Sequence, residues 1–130
     1  MSKFVKRLKK LNPKARNVLV LGDAFGNLED LVDFYKTVFI IDDKQTLRRG
    51  NVVYRENFDQ ITLLTDVDII VINADKRQHI MDIAPIWKRF SPFIIIGGSE
   101  PVTKDYNKFL ASYRYHVTEI LKHFYIYKII

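Results

Sequence analysis

Tyr115-His116-Val117-Thr118-Glu119-Ile120-Leu121 and Phe124-Tyr125-Ile126-Tyr127-Lys128-Ile129-Ile130 are two strand-like runs separated only by Lys122-His123. So short a link cannot carry a parallel crossover, so the two runs form an antiparallel hairpin. The second run is apolar on both faces, with Phe124, Ile126 and Ile130 on one and Tyr125, Tyr127 and Ile129 on the other. A strand of that kind belongs inside a sheet. The expected arrangement inserts the last strand antiparallel beside the run 93–96 and leaves 115–121 at the sheet edge.

Upstream of the hairpin, short apolar runs alternate with stretches of helical spacing. Asn17-Val18-Leu19-Val20-Leu21 ends at Gly22 and reads as a strand buried on both faces. Leu28, Leu31, Val32 and Tyr35 then recur at helical spacing, with Asn27 as the expected N-cap. Further strands are expected at 38–41, 51–54, 67–72 and 93–96, the second of these five upstream runs closing at Asp42-Asp43 and the last at Gly97-Gly98. Ile80, Ile83, Ala84, Trp87 and Phe90 mark a helix bent or restarted at Pro85, and Tyr106, Phe109, Leu110 and Tyr113 mark another, with Thr103 as its cap. Strands alternating with helices imply right-handed crossovers. The predicted fold is α/β: a doubly wound, mainly parallel sheet of about seven strands with the last antiparallel, Rossmann-like and three-layered.

At 130 residues, 48% hydrophobic and 28% charged, the chain fits one globular domain, residues 1–130. Its beginning, residues 1–14, reads as a basic helical arm: Phe4, Val5, Leu8 and Leu11 recur among Lys and Arg until Pro13 stops the pattern. The expectation is an apolar stripe packed on a sheet edge with the lysines in water; an electrostatic arm for nucleic acid is the sharper alternative. Net charge of +6 and a pI near 9.5 permit such contacts without establishing them. The arm lacks the continuous apolar core of a signal peptide, and no stretch is long and apolar enough for a transmembrane helix, so the expected location is cytoplasmic, with no membrane partner. Cysteine is absent, which excludes disulfides and thiolate-bound metals. His79, His116 and His123 lack metal-ligand spacing, so no metal is expected. The oligomeric state is open.

The order of elements over residues 16–130 resembles class I S-adenosylmethionine-dependent methyltransferases. The family's first motif, an apolar strand followed by alternating glycines, reads here Val18-Leu19-Val20-Leu21-Gly22-Asp23-Ala24-Phe25-Gly26, that is G-x-A-x-G. Val20 stands where the family usually has an acid. The acid ending the second strand is present as Asp42, the adenine-contacting position falls at Glu56-Asn57-Phe58, and the often catalytic segment after strand four reads Asn73-Ala74-Asp75. The resemblance implies an S-adenosylmethionine-binding methyltransferase whose cofactor site comprises Gly22, Asp23, Ala24, Gly26, Asp42, Asn57, Phe58 and Asn73, with an acceptor the sequence does not identify.

Each position has a chemical rationale and a plainer reading beside it. Gly22 and Gly26 let the backbone turn tightly and a ligand come close. Asp42 can accept hydrogen bonds from two ribose hydroxyls at a strand's carboxyl end, where open α/β sheets bind ligands; Asp42 and Asp43 read otherwise as polar strand closers. Phe58 can lie on an adenine face or belong to the core with Ile61. Asn73 can orient a substrate group or cap its strand. No catalytic residue is assigned; Asn73, Asp75 and His79 are the nearest candidates for a general base.

Two alternatives stay open. A nicotinamide or other nucleotide site would use G-x-G-x-x-G, but Ala24 replaces the central glycine, and Asp23, Glu29 and Asp30 repel a diphosphate. The Tyr-x-x-x-Lys pair of short-chain dehydrogenases is also missing, Leu110 following Tyr106 and Val117 following Tyr113 at that spacing. A catalytically inactive methyltransferase-like module, binding a protein or nucleic-acid partner through its basic face, is compatible with the same fold.

Overall fold

The structure, a computed structural model, describes residues 2–22, 24–41, 48–55, 67–73, 93–97, 108, 110–112, 114–121 and 124–129. Its elements are α1 (Lys3–Leu11), β1 (Asn17–Leu21), α2 (Leu28–Phe34), β2 (Thr37–Ile41), β3 (Val52–Arg55), β4 (Ile69–Asn73), β5 (Phe93–Gly97), β6 (Tyr115–Leu121) and β7 (Phe124–Ile129). A single 3₁₀ turn, Ala24–Gly26, precedes α2.

The strands lie in the order β3-β2-β1-β4-β5-β7-β6. β1 pairs parallel with β2 and β4, β2 with β3, and β4 with β5. β7 runs antiparallel to both β5 and β6, so it sits inside the sheet. The two-faced apolar pattern of the last strand is satisfied there. Ile126 joins the core on one face, and Tyr125 and Tyr127, two residues apart, are buried on the other. β6 carries a bulge between Val117 and Glu119, and the Thr118 hydroxyl donates to the Ile126 carbonyl at 3.3 Å.

The central strands explain their own apolar runs. Val18 and Val20 of β1, Val38 and Ile40 of β2, and Ile69 and Val71 of β4 bury into one cluster. Alternation puts Leu19, Leu21, Ile41, Ile70 and Ile72 on the opposite face, and these are buried too. β4 begins at Ile69 rather than at residue 67. Just before it, the Asp68 amide donates to the Asn17 carbonyl at 2.9 Å, and its carboxylate accepts from the Arg16 and Asn17 amides at 2.8 and 3.0 Å, which ties the start of β4 to the start of β1.

α1 departs from the expected place at a sheet edge. Phe4, Val5 and Leu8 lie over the sheet face, in one cluster with residues of β1, β2, β4, β7 and α2. The physical reason is the unusually apolar face offered by four strands, against which a three-residue stripe excludes more water than at a rim. The helix is capped as its sequence allows: the Ser2 hydroxyl accepts from the Val5 amide at 3.2 Å. Two cations pin its flanks. Arg7 pairs with Glu119 of β6, and Lys9 Nζ lies 5.3 Å from the Tyr35 ring centroid and 5.8 Å from that of Phe34.

α2 ends on a side chain from the loop before β3. Asn51 Nδ2 donates to the carbonyls of Val32 and Tyr35, at 2.7 and 3.0 Å, satisfying acceptors that the last helical turn leaves open. Lys108, Leu110 and Ala111 are helical, and Leu110 is buried. The helix expected around residues 80–90 lies outside the described residues, as does most of the one around 106–113.

Candidate functional site

β1 is the strand from which the sheet is wound both ways. β2 and β3 lie on one side of it, β4 and β5 on the other. A crevice opens at the carboxyl ends of strands at such a reversal of order. The register sets those ends level. Leu21 pairs with Ile41 and with Ile72, and Asn73 pairs with Gly97, so Gly22 and Asn73 both follow the Leu21–Ile72 pair at one rim.

The loop leaving β1 has an unusual backbone. Gly22 has φ +97°, Ala24 φ +53° and Gly26 φ +78°. Every second residue of the G-x-A-x-G stretch is left-handed, including the one that is not glycine. An L-residue in that region costs about 1–2 kcal/mol, so surrounding contacts must hold Ala24 there. Two are visible. The Ala24 methyl is fully buried in the core cluster, and its carbonyl accepts from both the backbone amide and Nδ2 of Asn27, at 3.0 and 3.2 Å. Asn27 thus precedes α2 as expected but does not cap it with its side chain. Its backbone, at φ −104° and ψ 14°, is outside the extended region a capping residue adopts, and its amide is spent on the turn before the helix.

Gly26 needs glycine for conformation rather than for crowding. A Cβ built there would meet nothing within 4 Å, so the outer side of the loop is open space. The turn lies near β4, across the switch point. Residues 17–35 contain Asp23, Glu29, Asp30 and Asp33 and neither Lys nor Arg, so the segment around the loop is acidic. Asp30 also has a structural duty the sequence did not signal: its Oδ2 accepts from the Ser2 amide at 2.8 Å, joining the start of α1 to the start of α2.

Of the residues expected at the site, Gly22, Ala24 and Gly26 lie together on the loop, and Asn73 ends β4 at the same rim. Asp23, Asp42, Asn57 and Phe58 lie outside the described residues, as do Asp75 and His79. Among the described residues no group of three His, Cys, Asp or Glu side chains could hold a metal ion, and His116 is exposed on β6. Ionisation is perturbed away from this rim. Burial, with the Asp68 carboxylate adding to it, pushes the Tyr35 phenol up to about 12. Burial does the same to Tyr115, to about 12, and raises Tyr127 further. These are core tyrosines whose charged form is disfavoured, not poised acids.

No protein-family model matches the sequence, and no curated protein matches it. Solved structures do. A precorrin 8W decarboxylase from Methanobacterium thermoautotrophicum superposes with TM-score 0.66 at 16% identity, over 100% of this chain and 91% of that one. A putative methyltransferase from Streptococcus mutans in complex with SAH superposes with TM-score 0.58 at 13% identity, over 99% of both chains. TrmK of M. capricolum, in complex with S-adenosyl-homocysteine, superposes with TM-score 0.60 at 16% identity, over 98% of this chain and 67% of that one. At these identities the likeness establishes a shared fold, end to end.

Proposed function

We propose that this chain, which has the Rossmann-like fold of class I S-adenosylmethionine-dependent methyltransferases, binds S-adenosylmethionine at the carboxyl rim of β1 and transfers its methyl group to an acceptor. The observation that carries the reading is the loop 22–26: three alternating left-handed residues at the switch point, open on the outer side at Gly26, in a segment with acids and no cations. That donor set fits a ligand whose near end carries an ammonium and a sulfonium. It fits a diphosphate poorly, and the reason is charge. The Ala24 methyl points into the core cluster, so it does not obstruct the crevice, and the discrimination falls on Asp23, Glu29 and Asp30.

In this reading residues 1–130 form one three-layered domain. Backbone groups of Gly22, Asp23, Ala24 and Gly26 hold the amino-acid end of the ligand, Asp42 accepts from the ribose hydroxyls, and Asn57 and Phe58 flank the adenine. The cofactor supplies an electrophilic methyl on sulfur. The protein's part is to hold the acceptor in line with that methyl, which is largely a matter of position. In the same reading Asn73, at the end of β4, would orient the acceptor, and Asp75 or His79 would take a proton if the acceptor has one to lose.

The test is a pair of titrations with S-adenosylhomocysteine, on Asp42→Ala and Asp43→Ala. Adjacent residues of a strand face opposite ways, so one variant alone should weaken binding. A hydrogen bond to a charged group contributes about 1.5–3 kcal/mol, and about 1.4 kcal/mol is tenfold, so the loss at Asp42 should be tenfold or more. Equal and negligible effects would remove the ribose role.

A further inference from the structure

α1 has a face that the fold leaves unused. Phe4, Val5 and Leu8 are committed to the core, and the flanking Arg7 and Lys9 are pinned to Glu119 and to the Phe34 and Tyr35 rings. Opposite the buried stripe stand Lys3, Lys6 and Lys10, at i, i+3 and i+7, all exposed. Beyond the helix, exposed Lys14 and Arg16 continue the same charge, and residues 2–16 contain no acid at all. The Ser2–Asp30 bond sets the start of α1 beside the start of α2, at the end of the sheet where the 22–26 loop lies, and Arg16 leads into the opposite end. The lysine stripe therefore runs along the molecule from the carboxyl rim toward the amino rim.

We propose that this stripe is a docking surface for the phosphate backbone of a nucleic acid. Charge selects the partner: Lys3, Lys6, Lys10, Lys14 and Arg16 outnumber the carboxylates of Asp30 and Asp68, which are tied to backbone amides at the two ends of the stripe, and such an excess calls for a polyanion. Spacing agrees, since Lys3 to Lys10 covers about 10 Å of helix at ~1.5 Å per residue, or roughly three phosphate steps of ~3.4 Å along one strand. An anionic membrane is the poorer partner. An amphipathic helix binds a bilayer by burying its apolar face in it, and here that face is already inside the protein. The surface is independent of the cofactor reading and stands whether or not the 22–26 loop binds a nucleoside.

Fluorescence anisotropy of the full chain with labelled 20-nucleotide single-stranded RNA and DNA of one sequence tests this, alongside sedimentation with phosphatidylserine vesicles. Five phosphate contacts on a single strand predict a log–log salt slope of about −3.5, hence roughly a hundredfold loss of affinity from 50 to 200 mM salt. Replacing Lys3→Gln, Lys6→Gln and Lys10→Gln together should make the slope shallower by about 2 and weaken binding at least tenfold at low salt. Glutamine matches lysine in helix propensity, and circular dichroism confirms that the variant is folded; Lys6→Glu alone serves if it is not. Exposed Lys108→Gln is the charge control and should change nothing. Binding of either oligonucleotide that falls in the stripe variants alone supports the proposal. Absence of oligonucleotide binding at 50 mM salt, binding untouched by the stripe variants, or binding confined to vesicles would overturn it.

Discussion

Removing residues 1–10 should unfold this protein. The segment carries Phe4, Val5 and Leu8, which are 8%, 0% and 1% exposed and share one cluster with four strands and α2. Burying such a side chain contributes about 1.5–3 kcal/mol, so the deletion forfeits roughly 4.5–9 kcal/mol, against a total stability of about 5–15 kcal/mol for a typical domain. It also strips cover from Val18, Val20, Ile69 and Val71. A milder form keeps the measurement on a folded protein. Leu8→Ala should cost about 2–5 kcal/mol, the range for a buried leucine truncated in a core. With a urea slope of about 1–3 kcal/mol/M, that lowers the unfolding midpoint by about 0.7 M or more. Urea titration followed by circular dichroism reads both variants. A truncated chain within about 1 kcal/mol of the full one would refute the placement of α1, and would return the segment to the sheet edge that its sequence suggests.

Gly26→Ala should destabilise by about 1–2 kcal/mol from backbone strain alone, since nothing stands near the added methyl; Ala24→Gly should change stability far less, because relief of strain at φ +53° offsets loss of a buried methyl, and both are read by thermal melts. Alkaline titration is the second check on the core. Tyr35 and Tyr115 have phenols raised from 10 to about 12, and an acid raised in the folded state binds its proton more tightly there than in the unfolded chain. Their contribution is complete below pH 10 and is lost as pH rises from 10 through 12, by about 1.4 kcal/mol per pH unit for each. Unfolding and phenolate absorbance should therefore rise together in that window, and ionisation of these tyrosines near pH 10 without unfolding would contradict their burial.

The C-terminal hairpin was legible because geometry leaves little choice: a two-residue link cannot cross over, and Tyr125, Ile126 and Tyr127 need cover on both sides. The β1 loop was legible for a similar reason, since Gly22 and Gly26 after an apolar strand announce a tight turn. What periodicity could not convey was the partner of each stripe. Phe4, Val5 and Leu8 give a helix and its apolar side, but whether that side meets a sheet edge or a sheet face depends on residues far along the chain. The same holds for side chains that act at long range. Asp68 reaches back to Arg16 and Asn17, Asn51 reaches α2, and Asp30 reaches Ser2. None of these has a local signature. Asn27 was misleading because a residue type that favours caps also favours turns, and the turn at Ala24 claimed it.

Calorimetric titration of the full chain with S-adenosylhomocysteine, beside the same titration with NAD, bears most directly on the proposed site. The acidic, cation-free segment around Gly22, Ala24 and Gly26 predicts saturable binding of S-adenosylhomocysteine at one site per chain, and weaker or no heat with NAD. Tighter binding of NAD, or no binding of S-adenosylhomocysteine by the folded protein, would contradict it.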